Sequence, residues 1–117
     1  MRVLLVEDDA ATAASIELML RKESFIVDTT DLGEDGLEIG KLYDYDIIIL
    51  DLLLPDIDGY QVARLLRQEA QGRFRLIALT GYGQARDRAL SHAAGFDAHL
   101  LKPLDPSTLE AAIQQLG

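Results

Sequence analysis

The 117-residue sequence contains no cysteine. A disulfide framework and any thiolate metal site are therefore excluded. It also lacks an apolar run of the roughly 20 residues that a membrane-spanning helix needs. Nothing at its start resembles a secretory leader, because Arg2 is followed by only four apolar residues, Val3 to Val6, before Glu7. A cytoplasmic location is the expectation. Positive charge is scarce: 11 Lys and Arg stand against 20 Asp and Glu, for a net charge of −9. Such a surface argues against direct binding to nucleic acid or to an anionic membrane. The acidic excess serves solubility, and part of it is available to bind a cation. There is no linker, low-complexity stretch or second domain, and the length suits one domain over residues 1–117. With 49% hydrophobic and 26% charged residues, the chain has apolar material for one core.

Short apolar runs recur at Val3 to Val6, Phe25 to Val27, Ile47 to Leu50, Leu76 to Leu79, and Leu100 to Leu101. Each is too short for a helix, and unbroken apolar character suits strands covered on both faces. Stretches of helical length lie between them. Ile16, Met19 and Leu20 give the first helix its stripe, and Val62, Leu65 and Leu66 give the third helix its own. The last helix carries Leu109, Ala112, Ile113 and Leu116 at i, i+3, i+4 and i+7, with Asp105 as N-cap and Pro106 at the first helical position. Gly95 is placed to stop the helix between the fourth and fifth strands. The pattern is β-α repeated five times. It implies an α/β fold, a five-stranded doubly wound parallel sheet with right-handed crossovers and helices on both faces.

In open parallel sheets, sites form beyond the carboxyl ends of the strands. Here those ends carry Glu7-Asp8-Asp9, Asp51, Thr80-Gly81 and Lys102-Pro103. Strand two ends in Thr29-Thr30-Asp31, which has no evident part in the same chemistry. Glu7, Asp8 and Asp51 in one crevice raise each other's pKa values and destabilise the fold unless a cation intervenes. Lys102 supplies one positive charge, and Mg²⁺, a hard ion held by oxygen ligands, supplies two more. The Thr80 hydroxyl and the Gly81 backbone N–H add neutral donors. A nucleophilic carboxylate, a metal, a lysine and two donors are what phosphoryl transfer requires. Each part has an ordinary alternative: the acidic run can cap a helix, and Thr-Gly and Lys-Pro pairs commonly form turns or loops. The combination, each part at the end of its own strand, is what is specific.

These residues form a pattern. The segments LLVEDD (Leu4 to Asp9), IIILDLLLPDIDG (Ile47 to Gly59), IALTG (Ile77 to Gly81) and AGFDAHLLKP (Ala94 to Pro103) resemble bacterial response-regulator receiver (CheY-like) domains over the whole chain. The resemblance implies the (βα)5 flavodoxin-like receiver fold, with Asp51 as the phosphorylation site. It implies direct Mg²⁺ binding by Asp8, Asp51 and the Leu53 backbone carbonyl, with Glu7 acting through water and Asp9 left to cap the first helix. It implies that Thr80, Gly81 and Lys102 bind the phosphoryl group, that Thr80 moves on phosphorylation, and that the bond before Pro103 is cis. Members often carry Tyr or Phe three residues before the lysine as a second switch; here that switch position is His99, so aromatic switching is not expected to carry over.

The implied function is a phospho-switch in two-component signalling. It takes a phosphoryl group from a histidine kinase or histidine phosphotransfer protein, or from a small phosphodonor, and catalyses only its own phosphorylation and dephosphorylation. A hydrolase with an aspartyl nucleophile is disfavoured because the D-x-D arrangement after the first strand is missing. A scaffold without phosphorylation is disfavoured by the intact set of Glu7, Asp8, Asp51, Thr80 and Lys102. Residues 1–58 are similar to receivers of OmpR-type cell-cycle transcription factors of alphaproteobacteria, and residues 59–117 to receivers of hybrid histidine kinases. A natural mixture and an engineered join in the loop after strand three both account for that. The dimer face of the OmpR class falls in the second half, which reads Ala98-His99-Leu100-Leu101-Lys102-Pro103-Leu104 without that class's acidic-aromatic step. A monomer is expected.

Overall fold

A computed structural model describes residues 1–70, 74–81 and 93–116. Its elements in chain order are β1 (Arg2–Val6), α1 (Ala10–Lys22), β2 (Ile26–Thr30), α2 (Gly33–Leu42), β3 (Ile47–Asp51), α3 (Gly59–Glu69), β4 (Arg75–Thr80), β5 (Ala98–Leu101) and α4 (Pro106–Leu116). The five strands form one sheet of order β2-β1-β3-β4-β5, and every pairing is parallel. That order is the flavodoxin-like doubly wound arrangement. The helix expected between β4 and β5 falls mostly on residues 82–92, outside those described. Among the described residues no helix is long and apolar enough to cross a membrane.

Side chains alternate across a strand, so each central strand feeds two cores. On one face Leu4, Val6, Ile48, Leu50, Leu76 and Ala78 pack with Val62, Ala63 and Leu66 of α3 and with Leu37 and Ile39 of α2. On the other face Val3, Leu5, Ile47, Ile49, Ile77 and Leu79 pack with Ile16 and Leu20 of α1 and Leu109 and Ile113 of α4. Each such side chain withdrawn from water contributes roughly 1.5–3 kcal/mol.

The helix caps follow from the chain. Asp9 accepts from the Thr12 amide at 3.0 Å to open α1. Asp105 accepts from the Thr108 amide at 2.8 Å to open α4, with Pro106 as its first residue. Gly95 takes a φ of 99°, a left-handed conformation open to glycine without strain. The stripes expected for α1 and α4 face the core, and on α3 Val62 and Leu66 do so with Ala63 beside them, whereas Leu65 is only partly buried and outside both cores. The outer strands depart from expectation: β2 begins at Ile26, runs through polar Asp28, Thr29 and Thr30, and leaves Ile26 62% exposed. It lies at the edge of the sheet, where most of its side chains are exposed or only partly buried.

Candidate functional site

The parallel sheet sends four strands to the same end, and each delivers a side chain there. Asp51 is the last residue of β3 and Thr80 the last of β4; Glu7 directly follows β1 and Lys102 directly follows β5. Backbone hydrogen bonds continue the sheet one step beyond the strands. Glu7 N donates to Thr30 O at 3.0 Å, Leu52 N to Leu79 O at 3.1 Å, and Lys102 N to Thr80 O at 2.8 Å. The functional residues therefore ride on rigid backbone and not on free loops. Glu7, Asp51 and Thr80 are the buried polar residues among those described.

Glu7, Asp8 and Asp51 each offer a carboxylate oxygen, and these oxygens lie within 4.8 Å of one another. Glu7 and Asp51 are buried, while Asp8 is exposed. Lys102 reaches into this cluster. Its Nζ donates to Asp51 Oδ2 at 3.0 Å and also contacts Glu7 Oε1. Glu7 Oε1 is buried, and the Lys102 ammonium is its cationic partner. Glu7 Oε2 accepts from the Asp9 amide at 3.1 Å, and Asp51 Oδ1 accepts from the Leu53 amide at 3.0 Å.

Burial first, and then the nearby Asp51 carboxyl, push the Glu7 carboxyl up to about 7 against the opposing pull of Lys102. Burial works to lower the Lys102 ammonium, but Glu7 and Asp51 outweigh it and raise it overall. Three carboxylates thus face one ammonium. A hard cation fits this donor set: the oxygens are hard, they converge, and a single ammonium serves both buried carboxylates.

The Thr80 hydroxyl donates to the Leu100 carbonyl at 3.4 Å. It is parked on β5 by a long hydrogen bond, one residue beyond Leu79, the register partner of Asp51. Gly81 lines a cleft with Thr12, Ser15, Lys102 and Leu104. The Lys102–Pro103 peptide bond is cis. His99, in β5, lies 6.1 Å centroid to centroid from Phe96 at a tilt of 49°. Phe96 in turn meets Tyr60 edge-on at 6.2 Å. Tyr82, Ala85, Arg86, Arg88 and Ala89 lie outside the described residues.

The structure therefore brings Glu7, Asp8, Asp51 and Lys102 together and sets Thr80 beside them. Sequence reasoning took Leu53 only for its carbonyl and overlooked its amide, which orients Asp51. It also passed over Asp56, whose carboxylate accepts from the Gly33 and Glu34 amides at 2.9 Å each. α2 has no capping side chain of its own at Leu32, and Asp56 supplies one from the β3–α3 loop, a pairing that nothing local in the sequence marks.

A parallel sheet of this order, with an acidic cluster and a lysine at its carboxyl end, defines a flavodoxin-like α/β fold with its polar site beyond the strand ends. The model of the response regulator receiver domain matches residues 3–114, and the chain belongs to that family. The cell cycle response regulator CtrA of Brucella ovis is 50% identical over 116 residues, which is 99% of this chain and 50% of that protein. The chain thus spans about half the length of the curated relatives it matches. Among solved structures, the receiver domain of sensor histidine kinase PA1611 from Pseudomonas aeruginosa PAO1 superposes with a TM-score of 0.88 at 33% identity. That match covers 97% of this chain and 94% of that one, and that structure has a magnesium ion coordinated in its active site cleft. A CheY-like receiver from Methanospirillum hungatei JF-1 gives a TM-score of 0.90 at 28% identity, covering 98% of this chain and 91% of that one.

Proposed function

We propose that this receiver accepts a phosphoryl group on Asp51 and releases it again by its own catalysis, acting on no separate substrate. The donor is a phosphohistidine on a histidine kinase or histidine phosphotransfer protein, or a small acyl phosphate. The observation that carries the reading is the buried Asp51 carboxylate held at 3.0 Å by Lys102 inside a convergent acidic cluster.

An Asp51 oxygen attacks phosphorus as the bond to the donor's imidazole nitrogen breaks, and the bonding pair leaves with the imidazole. The Leu53 amide and Lys102 ammonium hold the carboxylate in place, so little reorganisation remains for the reaction. Lys102, partly buried, is free to follow the charge onto the phosphoryl oxygens. The Thr80 hydroxyl leaves its long bond to Leu100 to donate to the phosphoryl group, and that exchange couples chemistry to the β4–β5 edge. Asp8, Asp51, the Leu53 carbonyl and, through water, Glu7 would hold Mg²⁺, which neutralises charge on the transferring group.

The output is a protein-binding surface that changes when Thr80 moves. We place the protein in the cytoplasm, where histidine kinases draw on ATP. We read the chain as a mosaic, with an acidic centre on residues 1–58 and a switching half on residues 59–117. A natural mixture and an engineered join imply the same site chemistry.

Acetyl phosphate with Mg²⁺, followed by intact mass and peptide mapping, tests the reading. One phosphoryl adduct on Asp51 is expected, absent in Asp51→Asn and absent with EDTA. Steady turnover of unrelated phosphoesters would instead indicate a hydrolase, and undiminished labelling of Asp51→Asn would overturn the assignment.

A further inference from the structure

We infer that Asp56 is a positioning residue for the phosphoacceptor loop, which it ties to the N-terminus of α2. The functional half of this inference rests on the phosphoacceptor reading above. Residues 52–58 join β3 to α3, and they carry the two backbone groups that matter to Asp51: the Leu53 amide, bonded to Asp51 Oδ1, and the Leu53 carbonyl. Leu53 itself is 63% exposed, so its side chain does not fix the loop. The far part of the loop is fixed instead. Asp56 Oδ1 accepts from Gly33 N and Oδ2 from Glu34 N, each at 2.9 Å, so one carboxylate satisfies two amides at the start of a neighbouring helix.

Apolar packing makes the same join. A Cβ on Gly33 would come within 2.3 Å of Ile57 Cγ2 and 3.1 Å of Leu54 Cδ1, so glycine is what lets the loop seat on α2. At its other end the loop closes with Gly59 N donating to Leu52 O at 3.2 Å. A Cβ on Gly59 would meet Asp51 O and Leu52 Cα at 2.6 Å, so this closure is equally tight. The loop is therefore held at both ends, and Asp56 is the polar tie at the end remote from Asp51. Releasing it lets the Leu53 peptide reorient relative to the Asp51 carboxylate.

Two readouts test this. The first needs neither metal nor phosphate: hydrogen exchange of the Leu53 amide by NMR. Asp56→Ala is expected to speed that exchange about 3- to 10-fold, the scale on which loss of a helix cap shifts an equilibrium. Asp56→Asn, which keeps one acceptor oxygen, is expected to fall between. Gly33→Ala, which displaces Ile57 at the residue whose amide donates to Asp56, should move the exchange in the same direction. Ile113→Val on the opposite face of the sheet lowers global stability and should leave Leu53 exchange unchanged once corrected for that loss.

The second readout is calorimetric Mg²⁺ affinity with the acetyl phosphate labelling rate, where Asp56→Ala should weaken binding by a similar factor. Leu53 exchange and Mg²⁺ affinity that shift no more in Asp56→Ala than in Ile113→Val would overturn the inference and leave Asp56 a plain helix cap. A wild-type chain that takes no label would overturn the phosphoacceptor reading, and the exchange readout would still decide whether Asp56 positions the loop.

Discussion

Asp8 and Asp9 are adjacent, carry the same charge, and do different work. Asp9 points along the chain and accepts from the Thr12 amide at 3.0 Å as the cap of α1, and the Thr12 hydroxyl first, then that amide, hold its carboxyl below the usual range. Asp8 turns toward Glu7 and Asp51. Asp8→Asn should therefore weaken Mg²⁺ binding at least tenfold by titration calorimetry, as expected when a direct anionic ligand is lost. Asp9→Asn should change it less than about threefold, since asparagine is an equally good N-cap. Equal losses would mean that the register of the acidic run is off by one.

A second residue-scale case lies at the opposite end of the sheet. Asp28 Oδ2 accepts from Tyr45 Oη at 2.7 Å and from the Arg2 guanidinium at 3.1 Å. The Tyr45 hydrogen bond and, to a lesser degree, Arg2 outweigh burial and lower the Asp28 carboxyl. A depressed carboxylate contributes stability that is present above its unfolded pKa, about 3.9, and lost as pH falls through the lower folded value. Asp28→Asn should thus lower the melting temperature at pH 7, and the gap to wild type should close as the pH is taken below about 3.9. A gap that persists unchanged at acid pH would show that packing, not charge, is what the substitution removes.

Among the elements, α2 is the least self-sufficient. Three of its ten residues, Gly33, Gly36 and Gly40, are buried glycines, and each costs a helix roughly 1 kcal/mol relative to alanine. They are there for proximity. A Cβ on Gly36 would come within 2.7 Å of Val6 Cγ2, on a stiff β-branched side chain that is itself fully buried. A Cβ on Gly40 would come as close to Leu66 Cδ2, the end of a longer and more flexible side chain. Gly36→Ala should therefore destabilise by about 1–3 kcal/mol despite its gain in propensity. Gly40→Ala should be close to neutral. Urea unfolding at unchanged m-value measures both, and a stabilised Gly36→Ala would show that β1 and α2 have room to separate.

The same element marks what the sequence could express. The central strands, with Val3 to Val6 and Ile47 to Leu50 unbroken and apolar, and the amphipathic stripes of α1, of α4 and, Leu65 apart, of α3 were legible because burial alone dictates them. So were Asp51, Glu7, Lys102 and Thr80, because strand ends converge in a parallel sheet. The extent of β2 was not, since an edge strand needs no apolar run. Nor was the partnership of Asp56 with α2, a contact across 22 residues between a loop and a helix with no capping residue of its own. Local pattern carries no record of such a tie.

For the whole molecule the open question is assembly. A stable pairing buries on the order of 800 Å² per partner, and a two-fold interface must complement itself. Of the exposed large apolar residues among those described, Met1 and Ile26 adjoin and Leu42 and Tyr43 are neighbours in the chain, while Leu18 on α1, Leu32 before α2, Leu53 in the β3–α3 loop and Leu101 on β5 stand singly. Single exposed apolar residues do not make a patch. At the β5 edge, Leu101 is the exposed apolar residue, and Leu104 is turned partly into the core. The charges nearest to it on α4 are Glu110, with Asp105 at the start of the helix, and the sequence offers Arg86 and Arg88 as opposite charges. Exposed ion pairs of this kind contribute roughly 0–1 kcal/mol each. A net charge of −9 adds mutual repulsion at low salt. The protein should therefore be a monomer at micromolar concentration, both as prepared and after activation with beryllofluoride and Mg²⁺. Multi-angle light scattering decides the matter. A dimer that appears only on activation would show that the movement of Thr80 assembles a self-complementary face around β5 and α4, and it would align the second half of the chain with the OmpR class after all.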